Sequence, residues 1–357
     1  MPLKTLTPLR GLIAVTLFTA AQLSPSNLAA ESSSWFKRAD PPASKQNQSA
    51  PKNKNAVRTA RREGSTDKLS KSTPGNNAAY QAFDQGKYLT ALKLAEEAAA
   101  TGDPAAHTLI GRIYGEGFGV PIDLAVATKW YTRAAELGDL NAMFALGIIA
   151  AEGRGVEKDR DAAAQLFEQA ARKGHPEANY NLGLLFLHGE GKPENPHRAA
   201  QHIQYAAEQG LAAAQYDLSA LYQKGVGVDA DAYEASRWIS LAAEQGMPAA
   251  QYDYAVMLLQ GKGLKKHVHK ALGYLREAAE KGVAGAQNRL AHIYLEGVGV
   301  AKDPIEMAKW RTIAKAGGIK DEALDKRIAG MPEDQRLTGL QLAAQWQDKR
   351  LVNPLGP

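Results

Sequence analysis

A motif that returns every 36 residues without slipping leaves a chain few ways to fold. Six such units run end to end from Asp103: Asp103–Gly138, Asp139–Gly174, His175–Gly210, Leu211–Gly246, Met247–Gly282 and Val283–Gly318. A unit of this size cannot bury an apolar face alone. Stacked copies can, which makes fixed periods of this length the mark of solenoid arrays.

The units share one internal grammar. An alanine opens each (Ala106, Ala142, Ala178, Ala214, Ala250, Ala286), and a large apolar residue follows four places on (Ile110, Leu146, Leu182, Leu218, Tyr254, Leu290). The next residue is small: Gly111, Gly147, Gly183, Ser219, Ala255, Ala291. These positions share a helical face, and the small one lets a neighbouring helix come close. A glycine then stops the helix, from Gly117 in the first unit to Gly297 in the last, because glycine accepts the left-handed backbone that ends helices. A Gly-x-Gly-Val loop follows in most units, its valine expected to plug the helix pair. Asp123, Asp159, Asn195, Asp231 and Asp303 stand where an acceptor should cap the second helix. That helix carries an alanine with a bulky residue three later, as in Ala127/Trp130 and Ala235/Trp238, and closes on Ala-Ala-x-x-Gly.

The expected fold is all-α: an α-solenoid of six helix-turn-helix units spanning 103–318, with a capping helix pair at 76–102 and capping helices at 319–350. The first cap is read from Gly86-Lys87-Tyr88 and the alanines after it. The second is read from segments Ala323–Ala329 and Glu333–Gln347, with Pro332 at a helix start.

Ahead of the fold lie two segments of other character. Residues 1–30 read as an export signal, with Lys4 and Arg10 before an apolar run from Leu12 to Leu23 and small residues at Ala29-Ala30. Cleavage is expected after Ala30, with Ala21 as a second site and an uncleaved membrane anchor as the alternative. Residues 31–75 are rich in Ser, Pro, Asn, Gln and Lys and lack apolar periodicity, so a disordered linker is expected. From Glu31 to Asn77 ten basic residues face four acidic ones, so the chain's net charge of +5 belongs to its leader and linker, and the remainder carries −3. The linker suits weak contact with a membrane surface or an acidic partner, or serves as a plain spacer. The mildly acidic remainder gives no footprint for nucleic acid. The chain has no cysteine, which excludes disulfides, thiolate metal sites and cysteine nucleophiles.

The run Ala214-Gln215-Tyr216-Asp217-Leu218, then Leu221-Tyr222-Gln223-Lys224-Gly225-Val226-Gly227-Val228, then Trp238 and Ala242-Ala243-Glu244-Gln245-Gly246, closely resembles the Sel-one-like repeat (SLR) family, a relative of the tetratricopeptide repeats. The resemblance covers Asp103 to Gly318. It implies a right-handed superhelix that binds proteins, and exported bacterial members that act as adaptors, envelope regulators or host-interaction factors. Two loops depart from the pattern. Lys265-Lys266-His267-Val268-His269-Lys270 replaces the usual Val-x-x-Asp, and Lys192-Pro193-Glu194-Asn195-Pro196 occupies the third loop. Capping is in question at both.

Signals for chemistry are sparse. Ser-x-x-Lys occurs at Ser34–Lys37 and Ser65–Lys68, inside the expected disordered linker, with no Lys-Thr-Gly or Ser-Asp-Asn beside it. Nothing there would hold a nucleophile and base in geometry. His267 and His269 fall short of a metal ligand set and sit among lysines. No catalytic residue, cofactor or metal is therefore expected. The informative set is Phe144, Tyr180, Tyr216 and Tyr252, spaced one unit apart on the first helices. Two readings stand: a ladder lining a peptide-binding groove, with Arg112, His292, Gln223 and Lys224 facing it, or rings packed between repeats. The function expected is an exported, periplasmic scaffold or adaptor whose protein or peptide partner is a sensor or envelope protein. A secreted effector or host-interaction factor is the first alternative, and a cell-wall or β-lactam hydrolase the second.

Overall fold

The computed structural model describes residues 74–352; the expected export signal and almost all of the basic linker lie outside the described residues. These residues comprise sixteen helices and no strand, in two compact units meeting in sequence at Asp139 and Leu140. None of the helices is long and apolar enough to cross a membrane.

The N-terminal unit holds α1 (Pro74–Asp84), α2 (Tyr88–Ala100), α3 (Pro104–Glu116) and α4 (Leu124–Glu136). The expected capping pair is α1 and α2. Phe83, Tyr88 and Phe118 meet there with ring centroids 4.9–5.3 Å apart, and Tyr80 Oη donates to the Ala105 carbonyl at 3.2 Å. Ala91, Ala95 and Ala106 are fully buried, so α2 and α3 can approach closely.

The C-terminal unit continues with first and second helices in alternation: α5 (Leu140–Glu152), α6 (Arg160–Arg172), α7 (Pro176–His188), α8 (Pro196–Glu208), α9 (Ala212–Lys224), α10 (Ala232–Glu244), α11 (Pro248–Gln260), α12 (Val268–Glu280), α13 (Ala284–Glu296) and α14 (Pro304–Ala316). It closes with α15 (Glu322–Ala329) and α16 (Glu333–Val352). Each first helix packs on its own second helix, and within the unit each second helix packs on the next first helix.

The caps fall where the sequence puts them. Asp123, Asp159, Asn195, Asp231 and Asp303 each accept backbone N–H groups at the start of the second helix. The two irregular loops keep this device. Asn195 caps α8 normally, and in the fifth repeat His267 takes the aspartate's place, its Nδ1 accepting from Lys270 N at 3.2 Å. An imidazole nitrogen supplies the acceptor that a carboxylate supplies elsewhere. Small positions also act as expected. The residue filling the notch stands four places after the second-helix alanine. A Cβ on Gly183 would lie 2.8 Å from Ile203, and one on Gly111 would lie 2.8 Å from Tyr131. The loop valines are uneven: Val120 and Val300 pack on the core, but Val156 is 44% exposed and plugs nothing.

The sixth repeat is finished differently from the others. The buried second-helix position that carries Phe167, Ile203, Ile239 and Leu275 carries Arg311. Its Nε donates to Asp325 Oδ1 at 2.8 Å, and its Nη1 donates to Asn288 Oδ1 and the Ile319 carbonyl, both at 3.0 Å. Arg311 thereby ties α14 to α15. Helix α16 runs five residues past the expected Gln347 and covers α14, with Trp346 edge-on to Trp310.

Candidate interaction surface

The third and fourth residues of each opening Ala-x-x-x-Leu run form the candidate row on the first helices. In the C-terminal unit these are Phe144, Tyr180, Tyr216 and Tyr252, followed by Ala145, Asn181, Asp217 and Asp253. Tyr180 Oη donates to Asp217 Oδ2 in the next repeat at 2.7 Å. Tyr216 Oη repeats the bond one unit on, to Asp253 Oδ2 at 2.7 Å. Each link spans 37 residues, one repeat plus one position, so each tyrosine reaches the neighbouring first helix.

Phe144, Tyr180 and Tyr216 are only 6%, 6% and 7% exposed. Phe144 stacks on His175 at 5.1 Å and lies 5.8 Å from Phe167. These three rings are packed between repeats and offer little surface to a partner, so of the two readings of the ladder the packed one describes them. Tyr252 is half-buried and keeps an accessible edge.

Burial shapes the electrostatics of the Tyr–Asp links. The Asp217 carboxyl is pushed up to about 6 by burial, with the Tyr180 hydrogen bond opposing. Asp253 is raised by burial and drawn back by Tyr216. Burial carries the Tyr180 phenol well above its ordinary range, and the Asp217 charge adds to it. Tyr252 is raised by burial and by Asp253, while Arg289 opposes.

A second row escaped the sequence reading. Asn179, Gln215, Gln251 and Gln287 are nearly fully buried just before the aromatic position. Each side-chain amide donates to a carbonyl at the end of the preceding repeat's second helix: Ala171, Ala207, Ala243 and Ala279, at 3.0–3.4 Å. The last carbonyls of a helix lack internal partners, and a buried one left alone costs roughly 1–3 kcal/mol. The amide row satisfies them and locks one repeat onto the next. The readable signal was an Asn or Gln recurring every 36 residues at an otherwise apolar face.

The remaining predicted positions each have a local setting. Arg112, in the N-terminal unit, is exposed and lies over the Phe83 ring at 4.9 Å. Gln223 and Lys224 are exposed at the C-terminal end of α9, with Gln223 Nε2 donating to Ser219 Oγ at 3.3 Å. His292 Nε2 is 2.7 Å from Asp321 Oδ2, and Asn288 also donates to that oxygen. Burial alone would raise Asp321, but Asn288, the Leu324 N–H and His292 together bring it down to about 2. His292 thus serves the junction with α15.

The fold can be set beside known proteins. The model of the Sel1 repeat matches residues 104–139, 140–175, 176–211, 212–247, 248–283 and 284–310. Among solved structures, a protective antigen of uropathogenic Escherichia coli displaying an SLR fold is similar at 29% identity and a TM-score of 0.63, over 78% of this chain and 60% of that one. The chain therefore spans less than two thirds of that protein's length. A Sel1 repeat protein from Oxalobacter formigenes is similar at 30% identity and a TM-score of 0.59, over 70% of this chain and 99% of that one. No curated protein matches. Six contiguous matches carried by the helix pairs, caps and notches above mean that the chain belongs to the Sel1 repeat family, whose members are generally non-enzymatic scaffolds that bind proteins.

Proposed function

We propose that this protein is an exported scaffold that assembles or regulates an envelope complex in the periplasm by binding a protein partner, such as a sensor or another envelope component. The observation that carries the binding role is the unbroken run of Sel1 repeats over residues 104–310. The leader-like residues, Lys4 and Arg10 ahead of the Leu12–Leu23 apolar run, support export. Catalysis has no support from the residues that a hydrolase would use, since both Ser-x-x-Lys occurrences fall in the basic linker.

Fractionation of native cells with N-terminal sequencing tests the export step: a mature chain beginning near Glu31 in the periplasm is expected. Affinity purification of the full chain from that fraction, compared with a control bait, then tests the binding role. Turnover of peptidoglycan or a β-lactam by the purified chain, lost on a single-residue change, would overturn it. The E. coli neighbour is described as a protective antigen, which favours keeping a secreted host-interaction factor as the second reading. Recovery of the protein from the culture medium instead of the periplasm selects that reading.

A further inference from the structure

The Tyr–Asp ladder stops one rung early. Tyr180 meets Asp217 and Tyr216 meets Asp253, each 37 residues on. The residue 37 places after Tyr252 is Arg289. The Tyr252 ring still leans on the next first helix: a Cβ on Gly285, one turn before Arg289 on α13, would lie 3.1 Å from Tyr252 Cζ and 3.3 Å from its hydroxyl oxygen. The electrostatic coupling of Arg289 to the Tyr252 phenol places the two groups in the same neighbourhood.

Neither the Tyr252 hydroxyl nor the Arg289 guanidinium has a hydrogen-bond or ion-pair partner among the described residues. Both residues are half-buried. The surrounding polar groups are already engaged. Asp253, beside Tyr252 on α11, accepts from Tyr216, while His292 and Asn288 on α13 are held by Asp321. The rung therefore has two donors and no acceptor, at the one tyrosine of the ladder that keeps an exposed edge.

We infer that Tyr252 and Arg289 form a docking point for an aspartate or glutamate side chain on a peptide segment of a protein partner. This rests on the scaffold reading above. A ligand carboxylate would take the place that Asp217 and Asp253 fill for Tyr180 and Tyr216, accepting from the phenol and from the guanidinium together. Charge-assisted bonds of this kind are the stronger class, and partial burial shields them from salt.

The test selects random peptides of about a dozen residues, displayed with their C-termini fused so that only side-chain carboxylates are available, on the full chain. Enriched peptides are then made with amidated C-termini. The expected result is a recurring Asp or Glu whose change to Asn or Gln weakens binding about tenfold or more, the loss expected when a charge-assisted contact is removed. Arg289→Asp supplies the missing acceptor from within, so the variant should remain folded and lose binding to the same extent. Tyr252→Phe keeps the ring and removes the hydroxyl, and should weaken binding about threefold to tenfold, the range of a single lost hydrogen bond. Peptides that bind without an acid, or that bind both variants as well as the native chain, would overturn the inference and leave the scaffold reading standing. If Arg289→Asp fails to fold, Tyr252→Phe with unchanged affinity overturns it instead. No enrichment on the full chain over a heat-unfolded control would count against both.

Discussion

Tyr216 and Asp253 hold a phenol and a carboxyl 2.7 Å apart where little water reaches. A buried acceptor that loses its donor costs roughly 1–3 kcal/mol, so Tyr216→Phe should destabilise the chain by about that amount in chemical denaturation. Tyr216→Phe with Asp253→Leu removes both polar partners, and the pair should recover much of the loss; equal loss in single and double variants would contradict the link. Asp217 adds a pH dependence. Its carboxyl holds a proton up to about pH 6 in the folded chain, against an ordinary value of 3.8. Folding therefore takes up a proton between those values, and stability falls as pH rises through the window. Asp217→Asn should flatten the change in Tm between pH 4 and pH 7, which calorimetry at several pH values will measure.

At the scale of the helix pair, fit is set by what small residues leave out. Ala214 is fully buried where α9 meets its neighbours, and Ala214→Leu should overpack that seam at a cost of roughly 1–3 kcal/mol. Loop glycines separate two costs that are usually mixed. Gly227 and Gly210 both have positive φ, 72° and 92°. A Cβ on Gly227 would fall on the Pro196 carbonyl, whereas one on Gly210 would meet nothing within 4 Å. Gly210→Ala should cost about 1 kcal/mol, the penalty of the left-handed backbone, and Gly227→Ala clearly more. Matching midpoints for the two variants in urea would show that the loop does not seat against α8. Second-helix caps were legible residue by residue, His267 excepted, because an imidazole at a capping place looks like a metal ligand or a solvated charge until its neighbour's N–H is seen pointing at it.

For the whole molecule, the period, the helix pairs and the helices that flank the repeats could be read from the sequence because each repeats or stops in register. The ladder could not. Four aromatics one repeat apart satisfy a groove and a packed seam equally well, since both recur with the repeat. The discriminating residues were their partners: the acids 37 places on, and the buried Asn and Gln one place before. Arg289, which breaks the acid series, and Arg311, which replaces a core aliphatic, are single departures that gain meaning only when the regular positions have been placed. The C-terminal unit that results is a stack tied by buried polar links, with its first-helix surface open at Tyr252. The most direct measurement of its role is photo-cross-linking in native cells, with a reactive amino acid placed in turn at Val256, one turn after Tyr252 on α11, at exposed Gln223 and at fully buried Ile203. A discrete protein adduct is expected from Val256 and none from Ile203. Absence of any protein adduct from both Val256 and Gln223 would contradict the binding role.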